Sequence, residues 1–442
     1  MTSDINWPFI RADKSIEILR TKGAYLETPS GTQILDAAGG AIVVNIGHGR
    51  ARVAKAVAEA TLNCTFVVPP WITPQRQELV ERLQNDWLPP ELSRIHLTCG
   101  GSEAVETAMK IALQYHCARG EEQRINIIGR NLSYHGTTLA TTAVGGHEQR
   151  KAGLAHVLTH HPRVQTPYPL RCPLGSFHTD STQYYLDEFA ECINKLGAHT
   201  IAAYLAEPII GSSGGAIVPP DGYWQGIREI CNHHGILLLL DEVMTGFGRT
   251  GLEFGYQHWP ITPDVLVSGK GLAGGYAPIA GVFSNDHIAN TLSDAHLNVM
   301  FHTYAAHPAA CAAAVEVLDI LKEENLVKRA HEMGLLLNAR LHDAFSNHPH
   351  VAEIRGKGLL QAIEIVQNRD SLQAFPAKRN IGERIVNEAL RRKVFFYGGG
   401  NGETRDIICM GPPFIITEKQ VDTMVSVLLD SVDAVCQDLE SS

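Results

Sequence analysis

The sequence predicts an α/β protein, with a large domain on a doubly wound, mostly parallel sheet and a smaller α/β domain beside it. Three observations predict this. Short unbroken apolar runs at 95–98, 125–128, 200–206, 236–240, 265–267 and 278–284 read as strands buried on both faces. Amphipathic or helix-forming segments fall between several of them, which is the rhythm of strand–helix–strand crossovers. At 442 residues the chain is long enough for two domains.

Composition narrows the function classes. The chain is 44% hydrophobic and 19% charged, as expected of an ordinary globular protein. Its 37 Lys and Arg against 47 Asp and Glu give a formal charge of −10, which argues against a nucleic-acid or acidic-membrane surface. The start, MTSDINWPFIRADK, has no basic region followed by an apolar core, and no apolar stretch approaches the roughly 20 residues of a membrane helix. A cytoplasmic protein is expected. The 9 cysteines lack CxxC or metal-ligand spacing, so they read as reduced thiols. The 21 histidines include no HExxH pair, and no metal site is expected.

In chain order, 23–36 has short β-like runs around a Ser-Gly turn and reads as a hairpin. The turn Asn45-Ile-Gly-His-Gly49 follows, with His48 a structural turn residue, and then a helix over 52–60. Strand 95–98 runs into Cys99-Gly-Gly-Ser102 and a helix whose apolar positions Val105, Ala108, Met109, Ala112 and Leu113 share a face. A glycine turn opening a helix offers backbone N–H groups and a helix dipole to an anion, and Ser102 adds a hydroxyl; most such turns nonetheless bind nothing. Strand 125–128 leads to a loop carrying Tyr134-His-Gly136, where an aromatic can stack on a flat ring. The Pro-, His- and Thr-rich stretch 156–182 reads as a long surface or dimer-edge loop, with Tyr168 its one residue of interest. Strand 200–206 ends at Glu207-Pro208, a Gly/Ser loop spans 211–215, and a helix at 222–234 leads into the central strand 236–240.

Asp241 and Glu242 stand at the carboxyl end of that strand, the edge where open α/β sheets bind ligands. After Pro263-Asp264, the run 265–267 delivers Ser268, Gly269 and Lys270, with Gly271, Gly274 and Gly275 beyond. A lysine among glycines, with an acid on a neighbouring strand end, is what a pyridoxal phosphate enzyme requires. The amine forms a Schiff base, and the acid pairs with the protonated pyridine nitrogen to keep the ring an electron sink. The competing reading of the same spacing is a helix cap and a solvated lysine.

The exact residues decide between them. Asp-Glu-Val-Met-Thr-Gly-Phe-Gly-Arg-Thr-Gly at 241–251, Pro-Asp at 263–264 and Ser-Gly-Lys-Gly-Leu-Ala-Gly-Gly at 268–275 closely resemble the class III aminotransferases, the ornithine and ω-amino-acid group. The resemblance covers essentially the whole chain. It implies the pyridoxal-phosphate-dependent transferase fold of type I, with 1–60 contributing to the small domain, 61–325 forming the large cofactor domain and 326–442 the small one. It implies that Lys270 is the Schiff-base and proton-shuttling lysine, that Asp241 pairs with the pyridine nitrogen, that Val243 packs on one ring face and that Tyr134, with His135 beside it, stacks on the ring. Gly101-Ser-Glu-Ala-Val-Glu106 resembles the family's phosphate cup, in which Gly101 and Ser102 are the expected contacts; Gly100 and Val105 depart from the family pattern, and Gly100 removes a possible hydroxyl contact. Glu207 resembles a glutamate near the cofactor that pairs with a mobile arginine. Thr303, in Phe301-His-Thr-Tyr304, resembles the threonine that reaches the phosphate of the neighbouring subunit, so a homodimer with shared sites is implied. Arg249 is expected to hold the loop before Lys270.

The substrate pocket is less legible. The family's pocket wall falls at 41–44, here Ala-Ile-Val-Val, which makes Ile42 an aliphatic wall residue. Trp71, after Pro69 and Pro70, is a candidate aromatic wall, with packing as its alternative. Arg405, beyond the Gly-rich run, is the candidate for a substrate carboxylate. Further on, an alanine-rich helix over 305–324, a β-like run at 351–366, a helix at 381–392, a strand at 406–410 and a capping box at Thr417-Glu-Lys-Gln420 complete the chain. The expected reaction moves an amino group from an amine donor to a keto acid acceptor by a ping-pong cycle. An epimerase or aminomutase of the same superfamily needs the same residues; a decarboxylase and a catalytically dead relative are further alternatives.

Overall fold

The computed structural model describes residues 16–297, 301–402 and 404–440. The start of the chain discussed above, residues 1–14, lies outside the described residues. Three short strands open the fold: β1 (Arg20–Lys22), β2 (Tyr25–Glu27) and β3 (Gln33–Asp36). They form an antiparallel meander, and β2 and β3 are the hairpin expected over 23–36.

The central sheet contains β4 (Arg94–Thr98), β5 (Asn126–Arg130), β6 (Arg163–Val164), β7 (Ile201–Ala206), β8 (Leu237–Asp241), β9 (Val265–Ser268) and β10 (Ala280–Ser284), in the order β4-β10-β9-β8-β7-β5-β6. Every pairing from β9 to β6 is parallel, and β10 is antiparallel to both β9 and β4. β4 therefore runs with the majority, and β10 is the one reversed strand. Alternation fits a sheet covered on both faces. Leu237 and Leu239 enter one apolar cluster with Val105, Ala108 and Met109, whereas Leu238 and Leu240 enter the other with Tyr204, Trp224 and Phe283. Helix Gly101–Ala118 covers the first face through the positions expected from its periodicity, and Leu113 is only partly buried at its edge.

Beyond helices Pro308–Glu323 and Leu326–Phe345, the chain adds β11 (Val351–Lys357), β12 (Leu360–Ile365), β13 (Val394–Phe395), β14 (Tyr397–Asn401) and β15 (Thr404–Met410). Four of these build a sheet in the order β11-β12-β15-β14, while β13 pairs in parallel with β3 through Val394 and Leu35. The final helix, Glu418–Glu440, starts with the expected capping box: the Gln420 N–H donates to Thr417 Oγ1, and the Thr417 N–H donates to Gln420 Oε1.

Most of 156–182 is loop, largely exposed at 156–160 and 173–177, but its middle departs from the surface or dimer-edge loop expected. It contributes β6, and Tyr168 is buried with its hydroxyl donating to Glu364. Arg171 and Arg355 also pair with Glu364, at 2.5 and 2.7 Å. Arg355 in turn donates to the carbonyls of Gly214 and Gly215. Polarity concealed this segment, because a buried charge network looks like solvated loop in a sequence. All 9 cysteines are unpaired. Among the described residues, no helix is long and apolar enough to cross a membrane, and no group of three or more metal-ligating side chains forms.

Candidate active site

The carboxyl ends of β4, β5, β7, β8 and β9 lie at one edge of the sheet, and a cavity of about 310 Å³ opens there. Its lining brings together Gly101, Ser102, Tyr134, His135, Glu207, Asp241, Val243 and Lys270. Because β10 runs backwards, its entry, not its exit, meets the cavity and adds Pro278 and Ile279.

Asp241 and Glu242 point to different environments, as neighbours at a strand end must. Asp241 Oδ2 lies 2.8 Å from His135 Nδ1, and its Oδ1 accepts the Val243 N–H at 3.1 Å. The outer ring nitrogen of His135, Nε2, is buried without a partner. Glu242 turns into the core, accepting the N–H groups of Gly255 and Tyr256 at 2.7 and 2.6 Å, and burial raises its pKa to about 7. Of these two neighbours, Asp241 is the one presented to the cavity.

Lys270 follows β9 with a φ of 33°, a left-handed conformation that costs a non-glycine residue on the order of 1 kcal/mol. Burial of its amine draws the pKa down to about 8; Asp241 and Glu207 pull it up, and Arg249 lowers it further. The segment after Lys270 is clasped from the far wall. Asn45 Nδ2 donates to the Gly271 carbonyl at 2.8 Å, and Gly274, at φ 55°, leaves no room for a Cβ, which would lie 2.4 Å from Asn45 Oδ1. Arg249 holds the same wall by donating to the Val44 and Pro412 carbonyls, at 2.9 and 2.7 Å.

At the opposite end, Gly100 and Gly101 open the long helix, and Ser102 Oγ accepts the Thr137 N–H at 3.1 Å. Gly136, at φ 139°, passes so close that a Cβ there would sit 2.5 Å from Ser102 Oγ. Glu207 is fixed by backbone donors, Gly211 N–H to Oε1 at 2.9 Å and Tyr134 N–H to Oε2 at 3.3 Å. Burial raises its pKa, with Asp241 adding to the effect. No arginine pairs with its carboxylate among the described residues; Arg130 donates instead to its backbone carbonyl. In this arrangement backbone donors, not the expected arginine, hold the Glu207 carboxylate.

Four other candidates stand elsewhere. Ile42 has φ 58° and is buried against Gly411, because the kink at Gly40 turns it inward; Val43 faces the cavity instead. Trp71 is 67% exposed and outside the cavity. Arg405 is tied to the carbonyls of Phe375, at 2.6 Å, and Gly402, at 3.1 Å, and does not line it. Thr303 is exposed and does not line the cavity of its own chain. Sequence reasoning missed Ile209, Met244 and Ile279 as lining residues. Each follows a strand-end residue or precedes a reversed strand, and only the reversal of β10 locates Ile279.

The chain is similar to known proteins over nearly its whole length. The sequence model of the family "Aminotransferase class-III" matches residues 10–432. An uncharacterized aminotransferase of Bacillus subtilis, YodT, is 36% identical over 95% of this chain and 95% of its own length. A solved structure from the directed evolution of transaminases by ancestral reconstruction superposes with a TM-score of 0.94 at 32% identity, covering 99% of this chain and 98% of that one. An amine transaminase from an uncultivated Pseudomonas species, solved in its PLP-bound form, gives a TM-score of 0.90 at 34% identity, over 98% of both chains. With the matched family spanning nearly the whole sequence, the chain belongs to the class III aminotransferases, pyridoxal-phosphate-dependent enzymes that transfer an amino group from a donor to an acceptor.

Proposed function

We propose that the cavity at the sheet edge binds pyridoxal 5′-phosphate and transfers an amino group from an apolar amine or amino acid to a 2-keto acid by a ping-pong cycle. The observation that carries this reading is the convergence of Lys270 and Asp241, two strands' ends, on one cavity in which the lysine amine is easily deprotonated. The residues present fit the cofactor. Lys270 offers an amine, Asp241 an acid, the turn at Gly101 and Ser102 a helix N-terminus for a phosphate, and the orphaned His135 Nε2 a polar atom awaiting a partner.

When bound, pyridoxal phosphate supplies the aldehyde that takes the amino group and the ring that accepts electrons from the breaking bond. Lys270 Nζ moves the proton, first as base and then as acid. Asp241 would pair with the pyridine nitrogen, and His135, 2.8 Å away, fixes the orientation of that carboxylate. Val243 and Tyr134 would flank the ring. Gly101 and Ser102 would hold the phosphate, joined by Thr303 of a second copy, so that each site would need a dimer. Val43, Ile209, Met244 and Ile279 give the substrate side an apolar lining.

The dimer reading is supported by exposed apolar side chains at Phe66, Val68, Trp71, Phe301 and Tyr304, with the Phe66 and Tyr304 rings 6.0 Å apart. The nine unpaired thiols suit a reducing, cytoplasmic compartment. We also divide the chain at 60 and 325, with the N-terminal segment belonging to the small domain.

Visible absorption of the purified protein tests the chemistry. Adding amines and amino acids with no keto acid is expected to abolish the cofactor's visible band with stoichiometric release of a carbonyl product, and Lys270→Ala to abolish this response. A band that persists while substrate is isomerised would reassign the protein as an epimerase or aminomutase.

A further inference from the structure

The loop that follows β7 has almost no side chains with which to fix itself. Residues 211–215 are Gly-Ser-Ser-Gly-Gly, and chain of that composition loses much conformational entropy in holding one shape. Yet the cavity depends on it. Ser212 lines the cavity, and the Gly211 N–H donates to Glu207 Oε1 at 2.9 Å. Within the loop the Gly215 N–H donates to the Gly211 carbonyl at 2.8 Å, so that a pull on Gly215 is felt at Gly211.

The groups that hold this loop come from far along the chain. Arg355, on β11, donates through Nε to the Gly215 carbonyl and through Nη2 to the Gly214 carbonyl, both at 2.6 Å. Its remaining nitrogen, Nη1, is held by Glu353 and Glu364, each at 2.7 Å, and the guanidinium carbon lies 4.9 Å from the centre of the Tyr168 ring. The fork is therefore fixed in its aim. From β14 the Gly400 N–H donates to the Ser212 carbonyl at 2.8 Å, and Gly399 passes so close that a Cβ there would lie 2.7 Å from the same oxygen. Arg355 itself is buried and does not line the cavity.

We infer that Arg355 is a positioning residue for the transfer reaction: it fixes loop 211–215 and, through the Gly211 N–H, holds the Glu207 carboxylate at the cavity that Lys270 enters. This rests on the reading of the cavity as the aminotransferase site.

The consequence has a definite sign. Burial pushes the Glu207 carboxyl up; His135 draws it down, Asp241 adds to the rise, and Arg130 and the Gly211 N–H draw it down again. A slack loop takes the Gly211 N–H away, and Glu207 then ionises less readily. Burial brings the Lys270 amine down to about 8 against Asp241 and Glu207, which favour its ammonium. With Glu207 less ionised, the Lys270 midpoint falls. Loss of a cation at Arg355 would by itself raise that midpoint, so the direction separates positioning from bare charge.

The test reads the Lys270 amine in the full chain free of cofactor, from the pH dependence of its acetylation by acetic anhydride, with hydrogen exchange of 208–217 measured alongside. Arg355→Met is expected to lower the Lys270 midpoint by roughly 0.5–1 pH unit and to speed exchange of the loop amides by about tenfold or more. Arg355→Lys keeps the charge between Glu353 and Glu364 but does not span both carbonyls, and is expected to recover part of each effect. In a Glu207→Gln background neither substitution is expected to move the midpoint. Glu364→Gln leaves Arg355 on both glycine carbonyls and on Glu353, and is expected to lower the melting temperature while the Lys270 midpoint stays put. An unmoved or raised midpoint in Arg355→Met, or a fall that persists without the Glu207 carboxylate, would overturn the assignment. So would an equal fall in Glu364→Gln, which would mean that the network serves stability alone. If Arg355→Met does not fold, Arg355→Lys decides by the same criteria. Failure of the wild type to take up pyridoxal phosphate would instead sink the aminotransferase reading, and labelling and exchange would still decide what Arg355 holds.

Discussion

Lys270 combines a left-handed backbone with an amine whose pKa is drawn down to about 8 from the ordinary 10.5. The direction follows from burial, which disfavours the ammonium, against the opposing pull of Asp241 and Glu207. The reactive free amine therefore grows in as pH rises through about 8. Capture of pyridoxal phosphate by the apo protein, followed by absorbance in rapid mixing, is expected to accelerate with that midpoint, and Asp241→Asn to move it lower by removing an anion that favours the ammonium. A wild-type midpoint near the ordinary lysine value would show that the amine is solvated. Linkage has the same sign: between about 8 and 10.5 the unfolded chain holds a proton the folded chain does not, so this group makes the apo protein more stable as pH rises across that window. At this scale the strand-end residues Tyr134, Glu207, Asp241 and Lys270 were legible from sequence, because each follows a short apolar run. Ile42 was misplaced because the chain reverses at Gly40, a conformation that spacing does not reveal.

The wall segment around Val43 and Val44 shows how elements hold the site. It has little regular structure of its own and is tied by Asn45 to Gly271, by Asp36 to the backbone of Ala38 and Gly40, and by Arg249 to Val44. His48 reinforces Asp36 at 3.0 Å, the structural turn role expected of it. Arg249 is fully buried and bonded only to carbonyls; burial lowers its pKa to about 9, with Asp36 opposing. Arg249→Leu leaves the Val44 and Pro412 carbonyls without these donors and is expected to lower stability by about 2–4 kcal/mol. Arg249→Lys should recover only part of it, since an ammonium does not span both acceptors. Denaturant unfolding of the two variants measures this, and a loss below about 1 kcal/mol for Arg249→Leu would mean that water replaces the side chain.

Across the whole molecule, the exposed apolar groups of Phe301 and Tyr304 flank Thr303 in the chain, and Phe66 packs on Tyr304; Thr303 is the residue proposed to serve a second copy. Tyr304→Asp, which sets a charge in that patch without touching the cavity lining, is expected to yield monomer in sedimentation and to weaken cofactor retention, as Thr303 would no longer reach a neighbouring phosphate. A variant that stays dimeric with unchanged cofactor retention would place the contact surface elsewhere. The primary structure by itself determined the parallel core, the family and the acid and amine, Asp241 and Lys270, that meet at one cavity, because buried strands need unbroken apolar runs and their carboxyl ends gather at one edge. Tertiary structure alone decided that β10 runs backwards, that Tyr168 lies in a buried charge network, that Arg405 faces backbone carbonyls and that the Arg150 guanidinium lies over the Tyr134 ring. These are contacts between residues far apart in the chain, and local pattern carries no information on which distant partner satisfies a side chain.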